Sequence, residues 1–204
     1  HNHFTSNMNS LNAPQIIPVT KSSVPYTPFE TIWIPNSSKF VVLGENPRRT
    51  GSLSIYQLQF ESNSNNEDND NDEKSNENIN KSNAAGKQKE TLKLLSRETK
   101  DFGFKCGTFG QSYNKENKSS QHLATGDFDG NLNIWDLEKL NKPIYEIKKA
   151  HDKIINCIDG ISGKYGAAEI VTGSRDGTVR LWDPRTDKHV SEMKASSADN
   201  ARDC

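Results

Sequence analysis

One stretch of this chain occurs twice, and the recurrence limits the fold more than any other feature. Residues 123–138 read LATGDFDGNLNIWDLE, and residues 170–185 read IVTGSRDGTVRLWDPR, 47 positions later. Six of the 16 aligned positions are identical: Thr125/Thr172, Gly126/Gly173, Asp129/Asp176, Gly130/Gly177, Trp135/Trp182 and Asp136/Asp183. At four more (Leu123/Ile170, Ala124/Val171, Leu132/Val179 and Ile134/Leu181) one apolar residue replaces another, so facing is kept. Self-similarity of this kind marks one supersecondary unit used repeatedly.

Each copy reads as a β-hairpin. An apolar run ending in Thr-Gly leads to Asp-Gly, whose residues supply the positive-φ positions of a tight turn. Period-2 alternation follows, with Leu132 and Ile134 against Asn131 and Asn133, and Val179 and Leu181 against Thr178 and Arg180. Repeats of about 40–45 residues closing on Trp-Asp are the mark of a propeller blade of four short strands. The two copies resemble the WD-repeat family. The fold expected is all-β: a partial β-propeller of about three four-stranded antiparallel blades out of seven.

The resemblance also implies a hydrogen-bonded set inside each blade: a His before the first strand, a Thr on the second, an Asp in the turn and a Trp on the third. In the third blade these are His151, Thr172, Asp176 and Trp182; in the second, Thr125, Asp129 and Trp135, with Lys100 where the His belongs. The chemistry is sound, because a half-buried carboxylate needs donors, and imidazole, hydroxyl and indole groups provide them. A Thr/His/Asp set also has the composition of a catalytic site. Its recurrence at a fixed period favours a structural staple instead.

Composition narrows the function. With 26 Lys and Arg against 27 Asp and Glu, the net charge of −1 gives no global pull toward nucleic acid or an anionic membrane. No run of 18 apolar residues is present to span a bilayer. Three cysteines, Cys106, Cys157 and Cys204, without a C-x-x-C spacing, fit a reducing compartment, and a cytoplasmic location is expected. No metal-spaced Cys/His cluster, phosphate loop or dinucleotide turn is found, so no cofactor and no small-molecule substrate are expected. Asp127-Phe128-Asp129-Gly130-Asn131 imitates a calcium loop, but its Gly stands fourth instead of sixth. His1-Asn2-His3 is read as a solvated terminus in preference to a chelate.

Along the chain, residues 1–13 are expected to be a disordered tail and residues 14–20 an edge strand that closes the ring. Blade one is placed at 29–99, with a low-complexity Asn/Asp/Glu/Ser/Lys insert over 61–89 that carries too little apolar surface to order. Its strands are read at 29–35, 39–44, 52–58 and 91–99, with Tyr56 in the place of Trp. Arg48 and Arg49, in its connecting turn, are weighed as a phosphate or partner contact against a plain exposed turn, which is preferred. Blade two is placed at 104–149 and blade three at 154–195. Residues 196–204 are read as the start of a linker to a missing fourth blade.

Beyond the generic repeat, PQII (14–17), KFVVLG (39–44), KCGTFG (105–110), LATGDFDGNLNIW (123–135), INCIDGI (155–161) and EIVTGSRDGTVRLWDPR (169–185) resemble one branch of the WD-repeat family. That branch is associated with prefoldin-like co-chaperone machinery and with cytoplasmic preassembly of axonemal dynein arms. The resemblance implies a non-enzymatic scaffold whose partners are proteins: co-chaperone subunits, and dynein chains as clients. Trp182, Asp183 and Arg185 also match the Trp-Asp-x-Arg box with which some members dock on a cullin-type ubiquitin ligase adaptor. A ligase substrate receptor is therefore the alternative. An enzyme hosted on the propeller is the third reading, but no convergent acid/base pair supports it.

Overall fold

The computed structural model describes residues 20–61, 89–110, 122–161, 169–184, 186 and 188–195. The expected tail at 1–13 and the linker at 196–204 lie outside the described residues, as do residues 111–121, the closing strand at 14–20 apart from its last residue, and Arg185. Twelve strands are described. β1 (Thr27–Trp33), β2 (Lys39–Glu45), β3 (Gly51–Glu61) and β4 (Lys89–Lys100) form the first sheet. β5 (Phe104–Thr108), β6 (His122–Asp127), β7 (Leu132–Asp136) and β8 (Tyr145–Ile147) form the second. β9 (Ile155–Ile161), β10 (Glu169–Ser174), β11 (Thr178–Trp182) and β12 (His189–Lys194) form the third.

Strands are antiparallel throughout and neighbours in sequence pair in order, so each sheet is an up-and-down meander. Alternation sets the facing. On β6, Thr125 and Leu123 share the face toward the first sheet, while Ala124 and Gly126 look toward the third. Two apolar layers result. The first contains Val41, Leu43, Leu53 and Ile55 from blade one with Phe104, Leu123 and Trp135 from blade two. The second contains Cys106, Ala124, Leu132 and Ile134 from blade two with Ile155, Ile170 and Trp182 from blade three. Radial sheets stacked face to face over such layers are the architecture of a propeller.

The tight turns differ in one detail from the two positive-φ residues expected. Gly130 and Gly177 have φ of 82° and 85°, but the preceding Asp129 and Asp176 do not enter that region. Each turn closes with a bond from the glycine N–H to the carbonyl three residues back, Asp127 and Ser174. Only the glycine must reverse the chain, which leaves the aspartate backbone unstrained.

Two element lengths depart from expectation. β3 and β4 run to 11 and 12 residues because pairing continues through Phe60↔Glu90 and Glu61↔Lys89. Glu61 and Lys89 therefore belong to the hairpin, and the rest of the low-complexity segment lies outside the described residues. β8, by contrast, is three residues long, shorter than the outer strand that residues 143–149 suggest. Pro143 has no N–H to give a ladder, and Lys149 turns away at φ 53°.

Candidate functional site

The expected staple is assembled in blade three. β10 carries Thr172 and β11 carries Trp182, both facing blade two, and the indole N–H donates to Thr172 Oγ1 at 2.8 Å. Thr172 Oγ1 lies 2.7 Å from His151 Nε2, and His151 Nδ1 lies 3.0 Å from Asp176 Oδ2. The carboxylate accepts only, so Nδ1 carries the imidazole proton and Nε2 accepts the threonine hydrogen. The relay therefore runs one way, from indole to hydroxyl to imidazole to carboxylate.

The charges follow from burial and bonding. Burial drives His151 below its ordinary value near 6.5, against the pull of Asp176, and keeps it neutral. Burial also pushes Asp176 up. That effect is reversed by hydrogen bonds from the Thr178 hydroxyl, the backbone N–H groups of Asp152 and Thr178, and His151, which hold the carboxyl at about 2. Thr178 is a member that sequence reasoning missed: its hydroxyl sits 2.6 Å from Asp176 Oδ1 and its N–H 2.9 Å. Its signal was present, since a hydroxyl residue two positions after a turn aspartate fits a local side-chain-to-backbone turn.

Blade two builds its staple differently. Trp135 donates to Thr125 Oγ1 at 2.8 Å, as in blade three. Asp129 does not enter the set. The carboxylate that holds the turn is Asp127, whose Oδ1 accepts the N–H groups of Asp129 and Asn131 while Oδ2 accepts the Asn131 amide. With no histidine to receive, the turn recruits the carboxylate two residues earlier, where blade three has Ser174. Asp127 is almost wholly buried, and burial pushes its carboxyl up against the lowering effect of Asn131. Lys100, in the histidine's place, lies over the Trp135 ring at 5.2 Å and donates to Leu140 O.

Blade one has neither set. Tyr26 donates to Ser54 Oγ at 2.9 Å, and Arg97 bonds Ser54 Oγ and the Tyr56 hydroxyl. Tyr56 thus stands where the later blades have Trp, and its partner is a guanidinium.

Chemically, these sets are suited to holding strands together. Thr172 and His151 are both fully buried, so no substrate atom can reach the hydroxyl that a nucleophilic reading would need. Of the Trp-Asp-x-Arg pattern, Trp182 and Asp183 are buried as well, and Arg185 lies outside the described residues. Arg48 and Arg49 border a cavity of about 540 Å³ shared with Glu45, Asp101 and Asp129, a mixed charge that does not select an anion. Among the described residues no group of three or more His, Cys, Asp or Glu is placed to hold a metal ion.

A family model for the WD domain, G-beta repeat, matches residues 116–136 and 141–183, the stretches that contain both staples. The chain is 43% identical over 198 residues to dynein axonemal assembly factor 10 of Xenopus laevis, covering 95% of this chain and 46% of the relative. Against the Homo sapiens and Chlamydomonas reinhardtii proteins of that name the identities are 40% and 36% over 201 residues, covering 97% of this chain and 47% of each relative. The chain carries WD repeats. This WD-repeat chain spans about half the length of the curated relatives it matches. The solved WD40 β-propeller domain of Doa1 superimposes with a TM-score of 0.49 at 14% identity, over 85% of this chain and 43% of that one.

Proposed function

We propose that the chain is the blade-bearing part of a non-enzymatic scaffold that serves the cytoplasmic assembly of axonemal dynein arms together with co-chaperone machinery. The observation that carries this reading is the 40–43% identity, sustained over 95–97% of the chain, to vertebrate proteins named dynein axonemal assembly factor 10. The geometry supports it: Thr125, Trp135, Thr172, Asp176 and Trp182, which repeat between the blades, are consumed in holding strands together, leaving loops and sheet faces as what the molecule offers to others.

A fourth blade against the far side of blade three belongs to the same proposal. The residues that blade two buries under blade three are Cys106, Ala124, Gly126, Leu132 and Ile134; their register equivalents in blade three are Cys157, Val171, Gly173, Val179 and Leu181. Val171 is 38% exposed and Met193, beside Val179, is 63% exposed. A face of this make is suited to another blade.

The test is affinity purification of the full-length protein from a ciliated cell with identification of what accompanies it. Co-chaperone subunits and dynein chains are expected. Recovery of a cullin adaptor alone overturns the reading in favour of a ligase substrate receptor.

A further inference from the structure

We infer that the groove between blades one and two is a receptor for an arginine side chain presented by a partner protein. The argument is internal to the molecule. On the third strand of each blade, two residues before the Trp or Tyr, stand Ser54, Asn133 and Arg180, and each pairs across to the outer strand with Arg97, Glu146 and Glu192 respectively. In blades one and three a guanidinium lies at this position. Arg97 bonds Ser54 Oγ, and Arg180 bonds Glu192 at 2.7 Å while also donating to Ala150 O.

Blade two has the rest of that setting without the guanidinium. Glu146 and Lys148 repeat Glu192 and Lys194, both as an acid followed two positions later by a lysine that pairs with it. Thr99, before Lys100, stands where Ala150 precedes His151. Asn133 is too short to reach Glu146 as Arg180 reaches Glu192, and the Glu146 side chain is left 44% exposed where that of Glu192 is 18% exposed. A cavity of about 280 Å³ opens there, lined by Thr99, Lys100, Asn133, Trp135, Glu146 and Lys148 among others.

Two observations say what the cavity takes. Asn133 is 94% buried, and its Oδ1 is the one buried side-chain polar atom among the described residues without a hydrogen-bond partner, so the site lacks a donor. The charges facing the cavity are the carboxylates of Asp101, Asp127 and Glu146 against the ammoniums of Lys100 and Lys148, an excess of one negative. Lys100 does not fill the need, because its ammonium is engaged by Leu140 O and lies 3.7 Å from Glu98. A planar guanidinium with five donors can bond Asn133 Oδ1 and Glu146 together, as an ammonium of fixed reach cannot. The inference does not depend on dynein chains being the clients.

The experiment titrates the full-length protein by calorimetry with the tripeptide acetyl-Gly-Arg-Gly-amide and with its citrulline and lysine counterparts. The arginine peptide is expected to bind at least tenfold more tightly than the citrulline peptide and several-fold more tightly than the lysine peptide. Asn133→Arg, which supplies the guanidinium from within as blade three does, should abolish the binding, and Glu146→Gln should weaken it by about tenfold. Melting curves check that both variants fold, with Asn133→Arg expected to melt at or above the parent temperature. Equal affinity for arginine and citrulline peptides, undiminished binding by Asn133→Arg, or no saturable binding because water alone satisfies Asn133, each overturns the inference.

Discussion

Cys106 and Cys157 occupy the same register position in consecutive blades, yet one is sealed and the other is open. Cys106 Sγ lies 3.4 Å from Ile155 O beneath blade three, and burial pushes its thiol up to about 12. Cys157 pairs with Gly173 as Cys106 pairs with Gly126, but its side of the sheet is exposed. Thiolate fraction and access both control thiol chemistry. In this 204-residue chain a maleimide should label Cys157 and spare Cys106, read by mass spectrometry of tryptic peptides. In the full-length protein Cys157 should become protected, and equal labelling in both would remove the fourth blade from that face.

A related contrast concerns two glycines. A Cβ on Gly126 would stand 2.6 Å from Ile155 Cγ2, so Gly126→Ala must push blade three away, whereas a Cβ on Gly173 meets only Cys157 Sγ, which can swing aside. Gly126→Ala is expected to cost about 1–3 kcal/mol. In this chain Gly173→Ala should cost less than about 1 kcal/mol. Urea unfolding of the two variants measures the difference.

The relay in blade three predicts non-additivity. Thr172→Val orphans both the Trp182 indole and His151 Nε2, at a cost of about 2–3 kcal/mol; Trp182→Phe removes the donor to Thr172, whose hydroxyl keeps its own bond to His151 Nε2. With Thr172 already replaced, losing the indole costs less, so the double variant should fall short of the summed singles by about 1 kcal/mol. Strict additivity in a denaturant series would mean that the bonds do not act as one set.

Acid should loosen blade three before blade two. His151 lies below its ordinary value in the folded chain, so the unfolded chain binds the extra proton first, and stability that is complete above about pH 6.5 declines as pH falls. Asp176, held at about 2 against an ordinary 3.8, acts in the same direction, its contribution present above pH 4 and lost as pH falls toward 2. Asp127 has the opposite sign: its raised value means that its charged form is penalised by folding, and this penalty is relieved as pH drops. Melting temperature against pH should therefore fall between pH 7 and 5, and His151→Gln should flatten that fall.

The sequence made the blades legible because a fixed period, an Asp-Gly turn and alternating apolar residues all act within a few residues of one another. The indole-to-hydroxyl bonds at Trp135 and Trp182 were legible for the same reason, being cross-strand neighbours of known register. The exchange of Asp129 for Asp127 was not. It depends on the absence of a histidine 29 positions away, and alignment by identity favours the repeated Asp over the unrepeated one. The length of β3 and β4 was hidden too, because Glu61 and Lys89 are strand residues by pairing and not by type. The groove beside Asn133 shows only when three blades are superimposed residue by residue.

The tight turn of blade two does more than reverse the chain. Its Gly130 carbonyl receives the N–H of His151 at 3.0 Å, and a methyl group on Gly130 would collide with the His151 carbonyl. The imidazole-bearing member of one blade's relay is thus seated on the corner of the blade before it. Blade three thus takes a fixed point from masonry laid by blade two, and a fault in that corner is inherited by the sheet that follows it.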